Sequence, residues 1–372
     1  MENPTLRKSK AGRSNAVTIR DVAGHVGVAP MTVSRVLNGT GRISESTRSA
    51  VRQAMLELGY EPNLNAQRLA GARDERTVAL LSPRLDFDVT LRKAAALQQL
   101  LSERGYSVPL HAFGALAVPD ASEQCILARE LRRQKPRAIV CMFGILPVSE
   151  QDRLRPYQPP GVEDELRRYQ QEGGLVVSLS EVADLECDQV LFNREHNNYQ
   201  SARYLLELGH RNIGLWMSNS GNPLISPRLQ GFQRALHEFG VPVRPEWLLH
   251  NGNDTCNESS GAELAARLLK MKDRPTAMCI VNDSAAQACV AELGRGGISV
   301  PEDMSVVSHD DLPIARYGTV PLTAVSHPIQ ETAHAIVDLL HERIENHDEG
   351  PPRRIMLCGD LRVRQSTAPP RH

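Results

Sequence analysis

The chain has 372 residues, 41% of them hydrophobic and 23% charged, with a formal net charge of −1. This composition excludes a disordered or fibrous protein, and no apolar run approaches the roughly 18 residues of a membrane span. The seven cysteines include no CxxC pair, and the N-terminus lacks the apolar block of a secretion signal. We therefore expect a cytoplasmic protein with reduced thiols, no metal site and no cofactor.

The charges are unequally divided along the chain. Residues 1–76, the head, hold 12 basic and 7 acidic residues, a net charge of +5, so residues 77–372, the body, carry −6. A small basic unit joined to a larger acidic one is typical of a nucleic-acid reader fused to another domain. A solvated basic tail would show the same charge imbalance, so charge alone does not distinguish the two interpretations. The pattern of residues within the head has to distinguish them.

Two short helices joined by a tight turn are predicted in the head. Thr18 and Asp21 form a capping box, and apolar residues follow at helical spacing up to Gly27, which supplies the turn. Pro30 suits the first position of a second helix that runs to Asn38 with its apolar residues on one face. This arrangement predicts a helix-turn-helix.

The opposite face of the second predicted helix is suited to reading DNA. A merely structural helix would more usually show Glu and Lys there, whereas this face is polar or adaptable. Its residues are Met31, Thr32, Ser34, Arg35 and Asn38. A third helix, capped by Ser44 and ended by Gly59, lets three helices close one small core. A helix-turn-helix reads DNA with such a face.

These residues resemble the DNA-binding head of the lactose-repressor (LacI/GalR) family of bacterial transcriptional regulators. The matching strings are TIRDVAGHVGV from Thr18, TVSRVLN from Thr32, Ile43-Ser44, Thr47-Arg48 and LGYEPN from Leu58. The resemblance implies that the second helix enters the major groove with Pro30, Met31 and Arg35 facing base edges. Arg35 is the residue expected to contact guanine in bidentate fashion.

The resemblance also implies contacts to DNA phosphates, which fix the register of the head. The residues are Thr18, Thr32, Ser34, Asn38, Ser44, Thr47 and Asn63. Helix capping alone would also explain the hydroxyls of Thr18 and Ser44. Ala29 stands where the family usually has serine, so the second helix loses an N-cap hydroxyl. The loss of stability is partly offset because Pro30 presets the first helical dihedral.

Residues 63–71 have the pattern of a short hinge helix, capped at Asn63 and stopped at Gly71. A helix this short is unstable alone, so it needs a packing partner. The resemblance implies that two such hinges pair in the DNA minor groove and that Leu69 wedges between base pairs. A flexible linker that contains two leucines is the alternative.

Short apolar runs alternate with longer amphipathic stretches in the body, which predicts two doubly wound parallel-sheet lobes. Open parallel sheets bind ligands beyond the carboxyl ends of their strands. Arg228, Asn282 and Asp310 follow three of the apolar runs, with further aspartates beside them. These groups suit a polyhydroxyl ligand. An internal ion pair between Arg228 and Asp310 is equally compatible with the sequence.

The body resembles the effector-binding part of the same family, which has a periplasmic-binding-protein-like fold. The matching strings are LGHRNIGL, RLQGF, CIVNDSAAQACVAEL, VPEDMSVVSHDD, PLTAVSHPI and LRVRQSTAPP. The resemblance implies that Arg228, Asn282 and Asp310 hold the effector. His309 is expected to line the cleft, with a packed histidine as the alternative.

The first lobe fits the family less well. Relatives commonly have an aspartate and an NPFF-like turn after the first body strand, whereas this chain reads SPRLDFD from Ser82. Ser82, Asp86 and Phe87 are effector candidates by position only, with Phe87 able to stack on a ring. Residues 144–165 look like an insertion.

The predicted fold is therefore an all-α helix-turn-helix head and an α/β periplasmic-binding-protein-like body of two doubly wound parallel-sheet lobes. The expected domains are residues 16–62 for DNA binding, 63–76 for the hinge and linker, and 77–372 for effector binding and dimerisation.

We expect a transcriptional regulator, a repressor in the first instance, that binds a palindromic operator as a homodimer on the nucleoid, away from the membrane. A sugar or sugar derivative in the cleft would control its DNA affinity. A purine or nucleoside effector, or none, is the alternative. An enzyme with an added DNA-binding head is another, but the chain lacks GxSxG, HExxH and Walker motifs. A sugar carrier for a transporter would need a signal peptide.

Overall fold

The computed structural model describes residues 17–37, 43–60, 74–82, 88–112, 121–142, 162–180, 185–217, 226–250 and 257–371. The chain divides into two units, Met1–Glu75 and Arg76–His372, close to the head and the body. Six residues named above lie outside the described residues, and the expectations for them stay predictions. They are Asn38, Asn63, Leu69, Gly71, Asp86 and Phe87.

The described part of the head folds as the predicted helices. They are α1 (Ile19–Val26), α2 (Pro30–Leu37) and α3 (Glu45–Leu58). Val22, Val33 and Val51 are fully buried between them and form the centre of a small apolar core. Gly27 and Gly59 follow α1 and α3 with φ angles of 73° and 63°, a conformation that favours glycine. The helix ends predicted from these glycines are confirmed.

The body contains two sheets, one in each lobe. Its strands are β1 (Asp74–Ser82), β2 (Leu110–Ala112), β3 (Pro136–Cys141), β4 (Leu175–Ser178), β5 (Asp188–Phe192), β6 (Ile213–Met217), β7 (Leu248–His250), β8 (Ala277–Ile280), β9 (Ser305–Asp310), β10 (Thr323–Ser326), β11 (Arg354–Leu357) and β12 (Leu361–Arg362). The order is β11-β5-β4-β3-β1-β2 in the first lobe and β12-β10-β9-β8-β6-β7 in the second. Paired strands run parallel except β10 with β12, so the predicted parallel lobes are confirmed.

Helices connect the parallel strands and bury the faces of both sheets. They are α4 (Asp88–Glu103), α5 (Ala121–Gln134), α6 (Val162–Gln171), α7 (Arg194–Glu207), α8 (Pro227–Glu238), α9 (Glu258–Lys270), α10 (Asp283–Arg295), α11 (Pro313–Tyr317) and α12 (Ile329–Ile344). Helices α4 and α12 share an apolar core with the first sheet. Helices α7 to α10 share one with the second sheet. No helix among the described residues is long and apolar enough to cross a membrane.

The described residues show three crossings between the lobes. They run from β5 to α7, from β10 to α12, and from β11 to β12. Hydrogen bonds tie the crossings together. The backbone N–H of Asn193 donates to Leu357 over 2.8 Å, and that of Gly359 donates to Oδ1 of Asn197 over 3.1 Å. The cleft between the lobes is therefore closed along one side by bonded connections.

The sequence pattern did not indicate the helix at the end of the predicted insertion, nor all of the last elements of the chain. The expected insertion over residues 144–165 includes the start of α6, in which Val162, Leu166 and Tyr169 are buried against the sheet. The Tyr169 hydroxyl donates to the carbonyl of Pro136 over 2.7 Å, so these residues belong to the fold. Strands β10 and β12 lie within the matching family strings, whereas β11 and most of α12 lie outside them. The short strands carry little periodicity.

Candidate DNA-binding and effector sites

Helix α2 presents the face predicted to read DNA. Pro30, Met31 and Arg35 are exposed, Met31 with 63% of its surface. Thr32 and Ser34 are half-buried beside them. The opposite side of the helix is anchored because Val33 and Val36 are buried in the head's core. Contacts of these side chains to bases or phosphates stay a prediction.

Thr18 and Ser44 both lie at helix N-termini and both act as caps. The backbone N–H and the hydroxyl of Thr18 donate to Oδ2 of Asp21 over 2.7 and 2.6 Å, which lowers the pKa of that carboxyl. Oγ of Ser44 accepts from the backbone N–H of Thr47 over 3.2 Å. Capping and phosphate binding are compatible, because a helix N-terminus attracts anions.

The loss of a serine cap at Ala29 does not prevent α2 from forming. The helix begins at Pro30, and the backbone N–H of Thr32 donates to the Ala29 carbonyl over 2.8 Å. The fixed φ of proline favours this first helical position, as expected.

In the body, Asp310 ends β9 in an unusual backbone conformation. Its φ angle is 102° and that of Asp311 is 53°, and such conformations cost about 1–3 kcal/mol each for residues other than glycine. The strained turn is held by its neighbours. The backbone N–H of His327 donates to the Asp310 carbonyl over 3.0 Å, and that of Leu312 donates to Oδ2 of Asp283 over 2.7 Å. Strain maintained in this way is typical of functional sites.

Two arginines hold the side chain of Asp311. Arg316 donates to its Oδ2 over 3.0 Å, and Arg364 donates to its Oδ1 over 2.5 Å. Asp311 is therefore held in ion pairs with these two arginines, whereas the neighbouring Asp310 is half-buried between the lobes.

Positive groups surround Asp310. Burial raises the pKa of its carboxyl to about 6, against the opposing effects of Arg228, Lys93 and Arg194, while Asp88 raises it further. The structure thus brings Arg228 and Asp310 into electrostatic interaction, which both the predicted effector site and the alternative internal ion pair require.

His309 is packed in the second lobe. Only 4% of its surface is exposed, and its Nε2 lies 3.2 Å from Oγ of Ser201 on α7. Burial and the nearby Arg228 lower the pKa of its imidazole to about 3, so the ring is neutral at physiological pH. These contacts favour the packed-histidine alternative, and a role in lining the cleft stays a prediction.

Asn282 caps α10 at the carboxyl end of β8. Its Oδ1 accepts from the backbone N–H of Ala285 over 3.0 Å, so an effector could bond only to its remaining polar groups. The adjacent Asp283 is fully buried, and Ser308 donates to its Oδ1 over 2.5 Å. Burial and the charge of Asp310 raise the pKa of Asp283 well above its ordinary value. Burial therefore disfavours the charged form of Asp283, whose two oxygens support the Asp310 turn.

Three side chains near Asp310 were missed from the sequence. Lys93 lies in the second turn of α4, Arg194 is the first residue of α7, and His327 lies on the crossing from β10 to α12. Burial lowers the pKa of Lys93 to about 7, with Arg194 acting in the same direction and Asp310 opposing it. Arg194 lies one residue beyond the end of an apolar run. Arg228 was selected because it follows an apolar run that forms a parallel strand, and the same criterion could have selected Arg194.

His327 is neutral and stacked in the cleft wall. Its ring centroid lies 3.9 Å from that of Phe192. Burial, aided by Lys93 and Arg194, lowers the pKa of its imidazole well below the ordinary value. With Asp310 it lines a cavity of about 460 Å³ bounded by α4 on one side and residues 310–316 on the other. No group of side chains in the described part of the chain is arranged to hold a metal ion.

Two family models match the chain. The model described as bacterial regulatory proteins, lacI family, matches residues 18–63, and that of the periplasmic binding protein-like domain matches residues 202–367. The HTH-type transcriptional repressor PurR of Vibrio cholerae is 30% identical over 342 residues, which cover 91% of this chain and 94% of that protein. The HTH-type transcriptional regulator DegA of Bacillus subtilis is 29% identical over 95% of this chain and 98% of its own length.

Solved structures share the fold over nearly the whole length. The Lac repressor dimer bound to operator and the anti-inducer ONPF superposes with a TM-score of 0.74 at 23% identity, covering 95% of this chain and 100% of that one. The transcriptional regulator CelR in complex with cellobiose has a TM-score of 0.64 at 27% identity, covering 94% of this chain and 99% of that one.

Proposed function

Because the chain belongs to the LacI family of bacterial regulatory proteins, we propose that it is a repressor that binds a palindromic operator as a homodimer and is controlled by an effector in the cleft. The observation that supports this most is the exposed polar face of α2, with Arg35 at its centre, on a well-packed three-helix head. We assign DNA binding to residues 16–62, the hinge and linker to 63–76, and effector binding and dimerisation to 77–372.

Base recognition falls to α2, and phosphate contacts position it. Pro30, Met31 and Arg35 would face base edges in the major groove, with Arg35 donating to guanine. The phosphate contacts would come from Thr18, Thr32, Ser34, Asn38, Ser44, Thr47 and Asn63. Caps at Thr18 and Ser44 hold backbone N–H groups where a phosphate would approach.

A dimer follows from the size of the head. One three-helix head offers few phosphate contacts, whereas two heads match the half-site spacing of a palindrome. The hinge segments would pair in the minor groove, where Leu69 would wedge between base pairs and bend the duplex. The fold shared with the Lac repressor dimer on its operator supports this arrangement.

We assign effector binding to Arg228, Asn282 and Asp310, and we keep His309 and Phe87 as further candidates. The solved CelR–cellobiose complex, 27% identical to this chain, supports a sugar or sugar derivative as the ligand. Effector and operator affinities are linked, so each ligand changes the affinity for the other by the same factor. We assign no catalytic step to the body, since the relatives named above are transcriptional regulators, and we place the protein in the cytoplasm with its operator.

Selection from a random pool of double-stranded DNA by the purified full-length chain tests this proposal. We expect a palindromic consensus with two half-sites, bound by the dimer, and an affinity that falls steeply with salt. Binding is then measured by fluorescence anisotropy with and without a panel of sugars and sugar derivatives. Recovery of no consensus would overturn the proposed function.

A further inference from the structure

Gly359 is enclosed where two of the crossings between the lobes meet. It lies on the crossing from β11 to β12 and is buried, whereas its neighbours Cys358 and Asp360 are exposed. A Cβ at this position would come within 1.8 Å of the carbonyl oxygen of Ser326, the last residue before the crossing from β10 to α12. Since that neighbour is backbone, only glycine fits between the two crossings as they stand.

Two side chains of α7 hold both backbone groups of Gly359. Its N–H donates to Oδ1 of Asn197 over 3.1 Å, and its carbonyl oxygen accepts from Nε2 of Gln200 over 3.1 Å. Residues three apart lie on the same face of a helix, so one face of α7 makes both bonds. The crossing from β11 to β12 is therefore attached at Gly359 to a helix of the second lobe.

The other end of this crossing is attached to the first lobe. Leu357 pairs with Phe192 in the first sheet, and its carbonyl oxygen accepts from the backbone N–H of Asn193 over 2.8 Å. Cys358 is the single residue between this attachment and Gly359. A rotation of one lobe against the other must then be absorbed, in this crossing, by the backbone around Cys358. Hinges made of a few residues at the ends of elements are typical of domain closure.

The same turn of α7 is bonded to the strand that carries Asp310. The hydroxyl of Ser201 donates to the Asn197 carbonyl over 3.1 Å, and its Oγ lies 3.2 Å from Nε2 of His309. Because a hydroxyl has one hydrogen, Oγ accepts from a protonated Nε2 when both bonds are formed. His309 directly precedes Asp310 on β9, so Asp310 and Gly359 are both attached to this part of α7.

On the basis of the proposed function, we propose that Asn197 and Gln200 are positioning residues of the effector response. By holding Gly359 they confine the hinge in this crossing to one residue and limit the lobes to a few arrangements. Effector and operator then select between defined arrangements, which coupling between two ligands requires. Without these bonds the crossing has more freedom, and the arrangement that binds the operator is diluted among others.

The spread of lobe arrangements is measured by double electron–electron resonance on the full-length chain. Spin labels are attached through an unnatural amino acid at Glu130 of α5 and at Lys272, which are exposed residues of the first and second lobes. Labelled chain is diluted with excess unlabelled chain, so that a dimer carries one pair of labels. We expect one narrow distance distribution in the wild type and a broader one in Asn197→Ala and in Gln200→Ala.

A matched control lies beside Asn197. Asn198 is buried to a similar degree, but its Nδ2 donates to the carbonyl of Arg194 in its own helix over 3.0 Å. Asn198→Ala therefore removes a buried asparagine of α7 without loosening Gly359, and it should keep the narrow distribution. Circular dichroism and thermal unfolding check that each variant folds. Gln200 is only half-buried, so Gln200→Ala tests the bonds to Gly359 even where Asn197→Ala fails to fold.

Operator affinity gives a second readout. Binding of the selected operator, measured by fluorescence anisotropy, should be about fivefold or more weaker in Asn197→Ala than in Asn198→Ala when both variants are fully folded. A loss of stability alone would weaken both variants alike. Equal operator affinities in the two variants would therefore remove Asn197 from the effector response.

The distance distributions decide the role of the two residues independently of the operator. A narrow distribution in both Asn197→Ala and Gln200→Ala, or equal broadening in Asn198→Ala, would overturn the assignment. Failure to recover an operator consensus would instead remove the proposed function, while the distances would still show whether Asn197 and Gln200 set the arrangement of the lobes.

Discussion

The backbone N–H of His327 donates to the carbonyl oxygen of Asp310 over 3.0 Å. Asp310 ends a strand of the second lobe, whereas His327 begins the crossing that leads from that lobe into α12 of the first. A ligand that moves Asp310 therefore pulls directly on a connection between the lobes. Such a hinge-side contact is a physical route from effector binding to a change in lobe closure.

Replacement of Arg35 by alanine should relax base preference at one operator position in each half-site. The guanidinium is exposed on α2 and available for a bidentate contact, whose loss costs about 1–3 kcal/mol of binding free energy. Anisotropy titrations against operators mutated at each position measure the change. The control is Arg52→Ala, at an exposed arginine of α3. It should weaken binding to all operator sequences equally or leave binding unchanged. An unchanged preference in Arg35→Ala would remove this residue from base recognition.

Two substitutions of Ser44 should separate its capping role from phosphate binding. Ser44→Ala removes the acceptor for the Thr47 N–H and should lower the free energy of unfolding by about 0.5–2 kcal/mol. Ser44→Asp keeps a cap of similar strength but places a negative charge where a phosphate would approach. We expect wild-type stability and weaker operator binding, measured by denaturant titration and anisotropy. Wild-type affinity of Ser44→Asp would show that no phosphate lies near this residue.

Asp283 should tolerate asparagine but not alanine. Its oxygens accept from Ser308 and from the Leu312 N–H, so Asp283→Ala leaves two buried donors unbonded and should cost about 1–3 kcal/mol per donor. Asparagine resembles the neutral acid and keeps an acceptor for Leu312.

The two variants of Asp283 also differ in their dependence on pH. Because burial raises the pKa of this carboxyl above 3.8, the folded wild type holds a proton that the unfolded chain releases, and its stability falls as the pH rises above about 4. Asp283→Asn has no carboxyl group at this position and does not lose stability in this way. The melting temperature of Asp283→Asn minus that of the wild type should therefore increase from pH 5 to pH 8. A constant difference would mean that the folded carboxyl is ionised.

Most of the fold and part of the site could be predicted from the sequence. The capping box at Thr18, the glycines that end α1 and α3, and the apolar runs of the sheets are local signals, and local signals survive in any fold that uses them. Arg228, Asn282 and Asp310 were selected as candidates because parallel strands place the residues that follow them at one edge of the sheet.

The remaining features depend on contacts that no local pattern records. Lys93 lies one helical turn inside α4, so only the packing of the two lobes brings it to Asp310. Burial within the second lobe lowers the pKa of His309 and raises that of Asp283. The periodicity of a strand covered on both faces gives no indication of which polar residue will be enclosed.

Lys93→Met should stabilise the protein at neutral and acidic pH. Burial lowers the pKa of Lys93 from 10.5 to about 7, so the folded chain binds fewer protons than the unfolded chain between these values. Stability of the wild type therefore rises with pH across this window, and the cost of the buried charge is fully present below about pH 7. The melting temperature of Lys93→Met should exceed that of the wild type at pH 6, with a difference that shrinks towards pH 10. Lys272→Met should show no such trend.

Gly231→Ala should destabilise the protein by forcing two helices of the second lobe apart. The added Cβ would lie 1.9 Å from the carbonyl oxygen of Glu195, and since that neighbour is backbone, α7 and α8 must move apart. We expect a loss of about 1–3 kcal/mol in the free energy of unfolding. Denaturant titration measures the loss, and an unchanged free energy of unfolding would show that the two helices accommodate the methyl group without separating.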